Sequence, residues 1–214
     1  MIHILTNKAS IINDFLAELR DVEIQKDRAR FRKNVERIGE ILAYEVSKYL
    51  PRKLSPIQTP LGVSNMEVLS EQPILATVLR AGLALHQGFL NYFDHADNAY
   101  ISAYRKHTNQ HEFEIVVEYL ATPSIAGRTL ILIDPMLATG RSMFLAYKAL
   151  LTKGKPDKVI VVSLIASEQG VSYIQQHMPE AEIFIAAVDP SLDENSYIVP
   201  GLGDAGDLSF GEKM

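Results

Sequence analysis

Residues 129–133, Thr-Leu-Ile-Leu-Ile, form an apolar run with no polar alternation, and they restrict the fold more than any other stretch. A strand with one wet face alternates in polarity. A strand without alternation is covered on both faces, as in a parallel sheet with helices on either side. Comparable runs occupy 158–165 and 182–188, and segments with apolar residues at helical spacing lie between them at 142–152 and 168–177. This repeating strand-helix-strand order predicts an α/β fold around a mostly parallel sheet flanked by helices. Upstream, the pattern predicts helices at 10–19, about 27–50 and Leu83 to Phe93, and strands from Ile74 to Leu79 and from Ala99 to Tyr104. The second helix carries a stripe of Phe31, Val35, Ile38, Leu42, Val46 and Tyr49, suited to a core or a subunit interface, and Pro51 stops it. Glu112 to Leu120 alternates enough to be a hairpin arm, and 51–63 (PRKLSPIQTPLGV) reads as a connection or short edge strand.

A chain of 214 residues with 47% hydrophobic content is long enough for one well-packed domain, expected over 1–214. Lys and Arg total 21 against 26 for Asp and Glu, so the chain lacks the positive field that non-specific nucleic-acid binding requires. With no cysteine, disulfides, thiolate metal sites and a cysteine nucleophile are excluded. The apolar part of MIHILTNKAS is too short for a signal peptide, and no run approaches the ~20 residues of a membrane span. A soluble cytoplasmic protein with neither nucleic acid nor membrane as partner is expected.

Three segments carry chemistry. The first is Asp134-Pro135-Met136-Leu137-Ala138-Thr139-Gly140-Arg141-Ser142, which follows the buried run. Asp134 is placed at the carboxyl edge of a sheet, where open α/β folds bind ligands. Thr139 to Ser142 should expose unpaired N–H groups at a helix N-terminus, a setting that favours phosphate. The loop fits neither GxxxxGK[ST] nor GxGxxG; an acid followed by such a turn suits a smaller ligand bearing a diol and a terminal phosphate. The second segment is Arg80, which leaves the apolar strand 74–79 just before Ala81-Gly82 and brings a guanidinium to the same edge. The third is YIVPGLGDAGDLSFG at 197–211, with four glycines outside any periodic segment. Glycines there let backbone donors and acceptors approach the edge of a planar base.

At these residues the chain resembles the type I phosphoribosyltransferases. DPMLATG with its following Ser, VLRAGL around Arg80, and YIVPGLGDAGD are similar to the uracil phosphoribosyltransferase versions, and the similarity extends to ARFR near residue 30 and IGEILAYE at 38–45. The resemblance implies a phosphoribosyltransferase fold with a small β flap and a C-terminal base-binding hood. It implies transfer of the phosphoribosyl group from 5-phospho-α-D-ribose 1-diphosphate to uracil, giving uridine monophosphate and pyrophosphate with Mg²⁺ as cofactor. It assigns Arg80, Arg105, Asp134 and Asp204 to catalysis, and these four with 135–142 to the sugar diphosphate. Ile198, Gly203, Asp204 and Ala205 fall to uracil, and the metal is held mainly by the diphosphate. A homodimer or higher oligomer is also implied. The alternative is a regulator that senses uridine monophosphate in the same pocket and controls RNA; the acidic balance and the intact 200–207 segment count against it. The chain departs from the family at Arg141, where a glycine is usual and a positive φ would strain the turn, and in FEIVVEYLATP, which lacks the usual Lys-Leu-Pro ending. His107 and His111 are assigned no role.

Overall fold

The computed structural model describes residues 1–109 and 112–213, and the side chains of 103–118 lie outside the description. In chain order the elements are β1 (Ile2–Ile4), α1 (Ile11–Arg20), α2 (Arg28–Ser47), β2 (Arg52–Thr59), β3 (Gly62–Leu69), β4 (Ile74–Val78), α3 (Leu83–Leu90), β5 (Asp97–Asn109) and β6 (Glu112–Ala121). They continue with β7 (Thr129–Ile133), β8 (Met136–Leu137), α4 (Arg141–Leu150), β9 (Lys158–Ser167), α5 (Glu168–His177), β10 (Glu182–Asp189), β11 (Ser191–Leu192), β12 (Ile198–Val199) and α6 (Ala205–Phe210).

The principal sheet runs β1-β10-β9-β7-β4-β5-β6, with β8 also pairing to β9. Every pairing in it is parallel except β5 with β6. The unbroken apolar run at 129–133 is explained by its place: β7 lies between β4 and β9 and is buried along its whole length. Its alternate residues serve two cores, Ile131 and Ile133 with α1, α2 and α3 on one face, Leu130 and Leu132 with α4 and α5 on the other. From β4 the chain moves outward to β5, whereas from β7 it moves the opposite way through β9 to β10, so the strand order reverses between β4 and β7. Crevices of this kind, beyond the carboxyl ends of adjacent strands, are where open α/β sheets take ligands.

Several expectations need correction. Residues 51–63 form no edge strand of the main sheet; β2 pairs along its length with β3 as a separate two-stranded ribbon. Both faces of that ribbon are largely exposed, so no buried period marks it, and Pro56 sits within it. Tyr49 does not continue the buried stripe of α2. It lies past the helix end, 39% exposed, edge-on to Phe184 at 5.2 Å. The N-terminal β1 and the C-terminal α6 were not expected. β1 is three residues that gain their strand form by pairing with distant β10, and α6 begins where Asp204 Oδ1 accepts from Asp207 N at 2.9 Å.

The helices α2 and α3 approach closely enough to exclude side chains at the crossing. A Cβ on Gly88 would lie 2.2 Å from Glu36 O and 2.7 Å from Glu40 N, and one on Gly39 would lie 2.5 Å from Leu85 O. Backbone atoms cannot swing aside as a side chain can. Gly88→Ala is therefore expected to destabilise the chain by about 1–3 kcal/mol, read as a lower urea midpoint at constant slope; an unchanged midpoint would show that the helix pair slides freely.

Candidate active site

Two strand ends meet at the reversal point. Asp134 follows β7, 9% exposed; its N–H donates to Val162 O at 3.1 Å and Ser163 Oγ donates to its carbonyl at 2.6 Å. The carboxyl group accepts from Met136 N at 3.2 Å. Burial is the main reason its pKa is pushed up to about 7, with the charge of nearby Asp204 adding to the rise. Arg80 follows β4 across a cis Leu79–Arg80 peptide bond. Its Nη2 donates to Asp207 Oδ1 at 3.2 Å and to Gly211 O at 3.0 Å. Its Nε is buried without a hydrogen-bond partner among the described residues.

These residues line one cavity of about 450 Å³. Of the residues assigned from the sequence, Arg80, Asp134, Met136, Ala138, Ser142, Ile198, Gly203, Asp204 and Ala205 are on its wall. The structure thus brings together three segments separated by more than fifty residues each in sequence. Pro135, Leu137, Thr139, Gly140 and Arg141 are not on that wall. Leu137 is turned into the core beneath the loop, 1% exposed, and Arg105 lies within β5 with its side chain outside the described residues. The side chain of His107, like His111 as a whole, lies outside the description. Lys213, Ser196 and Tyr197 line the cavity and were not assigned from the sequence. Tyr197 and Lys213 flank or follow the glycine-rich run, which was the only available signal. A larger cleft of about 1090 Å³ lies on the other side of Gly203 and Asp204, against Arg28 and Arg32; neither Arg80 nor Asp134 reaches it.

The loop from Asp134 to Ser142 is shaped by its neighbours. Gly140 takes φ 75 and is the residue before α4; having no side chain it cannot cap the helix itself, and Thr139 Oγ1 accepts from Arg141 N at 3.5 Å. The positive φ thus falls on Gly140, and Arg141 is the first residue of the helix, with its side chain exposed. The strain anticipated at Arg141 does not arise. A Cβ on Gly140 would meet Gly170 O and Tyr173 Cδ1, both at 3.0 Å, so α5 presses on the loop from behind. Ser167 joins the two: its Oγ donates to Ala138 O at 2.6 Å and accepts from Gly170 N at 2.9 Å.

Because the folded state keeps a proton on Asp134 that the unfolded chain has released, stability contributed by the neutral group is complete below the ordinary carboxylate range and falls as pH rises towards 7. Asp134→Asn is expected to flatten that fall and to raise the melting temperature of the ligand-free chain at about pH 8, by about 2–4 °C per kcal/mol. Melting curves at about pH 5 and about pH 8 for both proteins check it; identical pH dependence would show that Asp134 is an ordinary ionised carboxylate.

The family model described as uracil phosphoribosyltransferase matches residues 6–212. A uracil phosphoribosyltransferase of Porphyromonas gingivalis is 56% identical over 206 residues, covering 96% of this chain and 95% of the relative. One from Thermococcus gammatolerans is 36% identical, covering 95% and 90%. Among solved structures, the AQ2163 protein of Aquifex aeolicus superposes with a TM-score of 0.86 at 30% identity, over 99% of this chain and 98% of that one. A match over residues 6–212 and relatives up to 56% identical along nearly the whole chain show that the chain belongs to the uracil phosphoribosyltransferase family.

Proposed function

We propose that this chain transfers the phosphoribosyl group of 5-phospho-α-D-ribose 1-diphosphate to uracil, forming uridine monophosphate and pyrophosphate, a pyrimidine salvage step. The observation that carries the reading is the convergence of Arg80, Asp134, Ser142 and the 198–205 segment on one cavity. In this reading Asp134 accepts the hydroxyls of the ribose, and the start of α4, whose N-cap Gly140 has no side chain, offers backbone N–H groups to its terminal phosphate. Arg80, with its unpartnered Nε, grips the diphosphate as it leaves, and Arg105 is assigned the same task. The backbone at Ile198 and Gly203 to Ala205 reads the acceptor-donor-acceptor edge of uracil. Cytosine presents a different edge and would leave buried partners unpaired, which is costly. Displacement at the anomeric carbon passes through an oxocarbenium-like state, for which alignment and charge stabilisation suffice without a protein nucleophile.

The residues present suit Mg²⁺ carried on the diphosphate. No described cluster of three His, Cys, Asp or Glu could hold a metal by itself, while the mutual repulsion of Asp134 and Asp204 marks a surplus of carboxylate that a cation would relieve. Bound there, the ion would neutralise charge on the leaving group, with Asp134 and Asp204 facing it.

A homodimer or higher oligomer belongs to the same reading. The β2–β3 ribbon supports it by exposing Leu54, Leu61, Val63 and Met66 away from the core. No described helix is long and apolar enough to cross a membrane. A cytoplasmic location fits substrates whose charge bars unaided passage through lipid. Nothing in the relatives favours the RNA-controlling alternative, since those reported carry the enzyme's name.

Pyrophosphate release is the test, measured with the sugar diphosphate and Mg²⁺ against uracil, cytosine, hypoxanthine and no base. Turnover is expected with uracil alone, and Arg80→Ala should lower kcat/KM by about 100-fold or more, as loss of a charge-stabilising contact does. Equal rates with cytosine would overturn the base assignment, and binding of uridine monophosphate without turnover would restore the sensor.

A further inference from the structure

The wall assigned to the base has little regular structure of its own. β12 is two residues long, and Gly201 and Gly203 take φ values of 58 and 92. A loop of this kind would not keep fixed distances between its backbone groups unless something outside it did so. Arg20, the last residue of α1, and Asp189, the last residue of β10, are placed to do this. Arg20 Nη1 donates to Asp189 Oδ2 and Nη2 donates to Oδ1, both at 2.8 Å. The same Nη1 donates to Gly201 O at 2.9 Å, and Gly201 N donates to Asp189 Oδ2 at 3.0 Å.

One ion pair therefore holds both backbone polar groups of Gly201. The carboxylate is 8% exposed and the guanidinium 26%, so the pair is well shielded from water. Its two hydrogen bonds are parallel, and the planar fork fixes orientation as well as distance. Gly201 lies between Ile198 and Gly203. A Cβ at that position would be 1.9 Å from Ile198 O, so the turn is folded hard against residue 198. Holding the peptide of Gly201 in place accordingly fixes where Ile198 stands relative to the 203–205 wall.

We infer that Arg20 and Asp189 are positioning residues for base recognition, setting the spacing on which the choice of uracil over cytosine depends. The inference rests on the reading of 198–205 as the base site. Neither residue lines the cavity or touches the reacting atoms, so both act through Gly201. A mismatched base is rejected only when the groups it leaves unpaired cannot reorient. When the pair is broken the loop can re-form around other edges, and selectivity declines together with uracil affinity. The 138–142 loop is held separately, through Ser167 and α5, and Arg80 is tethered by Asp207 and Gly211, so neither depends on the peptide of Gly201.

The test compares Arg20→Ala, Arg20→Lys and Asp189→Asn with the parent chain in steady-state assays that vary uracil, cytosine and the sugar diphosphate separately, alongside melting curves. In Arg20→Ala, KM for uracil is expected to rise about 10- to 100-fold, the range for a lost hydrogen bond to a charged group, while KM for the sugar diphosphate changes less than about twofold and the uracil-to-cytosine ratio falls by about fivefold or more. Arg20→Lys keeps the charge without the fork and should recover part of the loss. Where Arg20→Ala fails to fold, Arg20→Lys and Asp189→Asn carry the decision. An unchanged uracil KM and base ratio in folded variants, or equal rises in both substrates' KM, would overturn the role. If the parent chain itself shows no uracil-dependent turnover, the base-site reading has failed and the inference falls with it; a parent that turns over uracil normally while its variants keep full selectivity refutes the positioning role alone.

Discussion

Complete burial of the central strands on both faces is the constraint from which the rest of this structure follows. β7 and β4 have no solvent-facing side, so their polar chemistry can appear only where they end. Parallel pairing sends those ends to one edge. The reversal of strand order between β4 and β7 then leaves a crevice with Arg80 on one lip and Asp134 on the other. β10 ends on the same edge, and its last residue, Asp189, is the partner of Arg20. The three strand ends thus bring three different groups to one edge: a guanidinium, a buried carboxyl group, and an anchor for the glycine-rich loop.

The site is electrostatically unfinished without its ligands. Asp134 is driven towards its neutral form by burial and by Asp204, and Arg80 holds a buried N–H with no described acceptor. Each condition is costly for buried polar groups and would be relieved by a ligand that offers Arg80 an acceptor and Asp134 a hydrogen-bonding partner. Arg80 meanwhile is tethered by Asp207 and the carbonyl of Gly211, so the C-terminal segment that lines the cavity also steadies its guanidinium.

Much of this was legible in the sequence, for physical reasons that differ by segment. The runs that became β7, β9 and β10 were read correctly because double-sided burial leaves a pattern that needs no partner to recognise. Asp134 was legible because an acid directly after such a run has one place to go. The β2–β3 ribbon was not, since neither of its faces is buried and its residues alternate in nothing. α6 was hidden by its brevity and by the glycine within it; its cap, Asp204, had been read only as a ligand contact. The pairing of Arg20 with Asp189 spans 169 residues, and no local pattern connects a helix-terminal arginine to a strand-terminal aspartate. At Arg141 the sequence raised a difficulty that the backbone removes, because the left-handed conformation falls one residue earlier, on Gly140.

The central claim is that one cavity at the β4–β7 reversal holds both the sugar phosphate and the base. A crystal structure of the chain with uridine monophosphate tests it most directly. The phosphate is expected at the 139–142 turn, the ribose hydroxyls on Asp134, and the uracil ring against Ile198 and Gly203 to Ala205. A nucleotide seated instead in the larger cleft beside Arg28 and Arg32, with Asp134 free of contact, would contradict it.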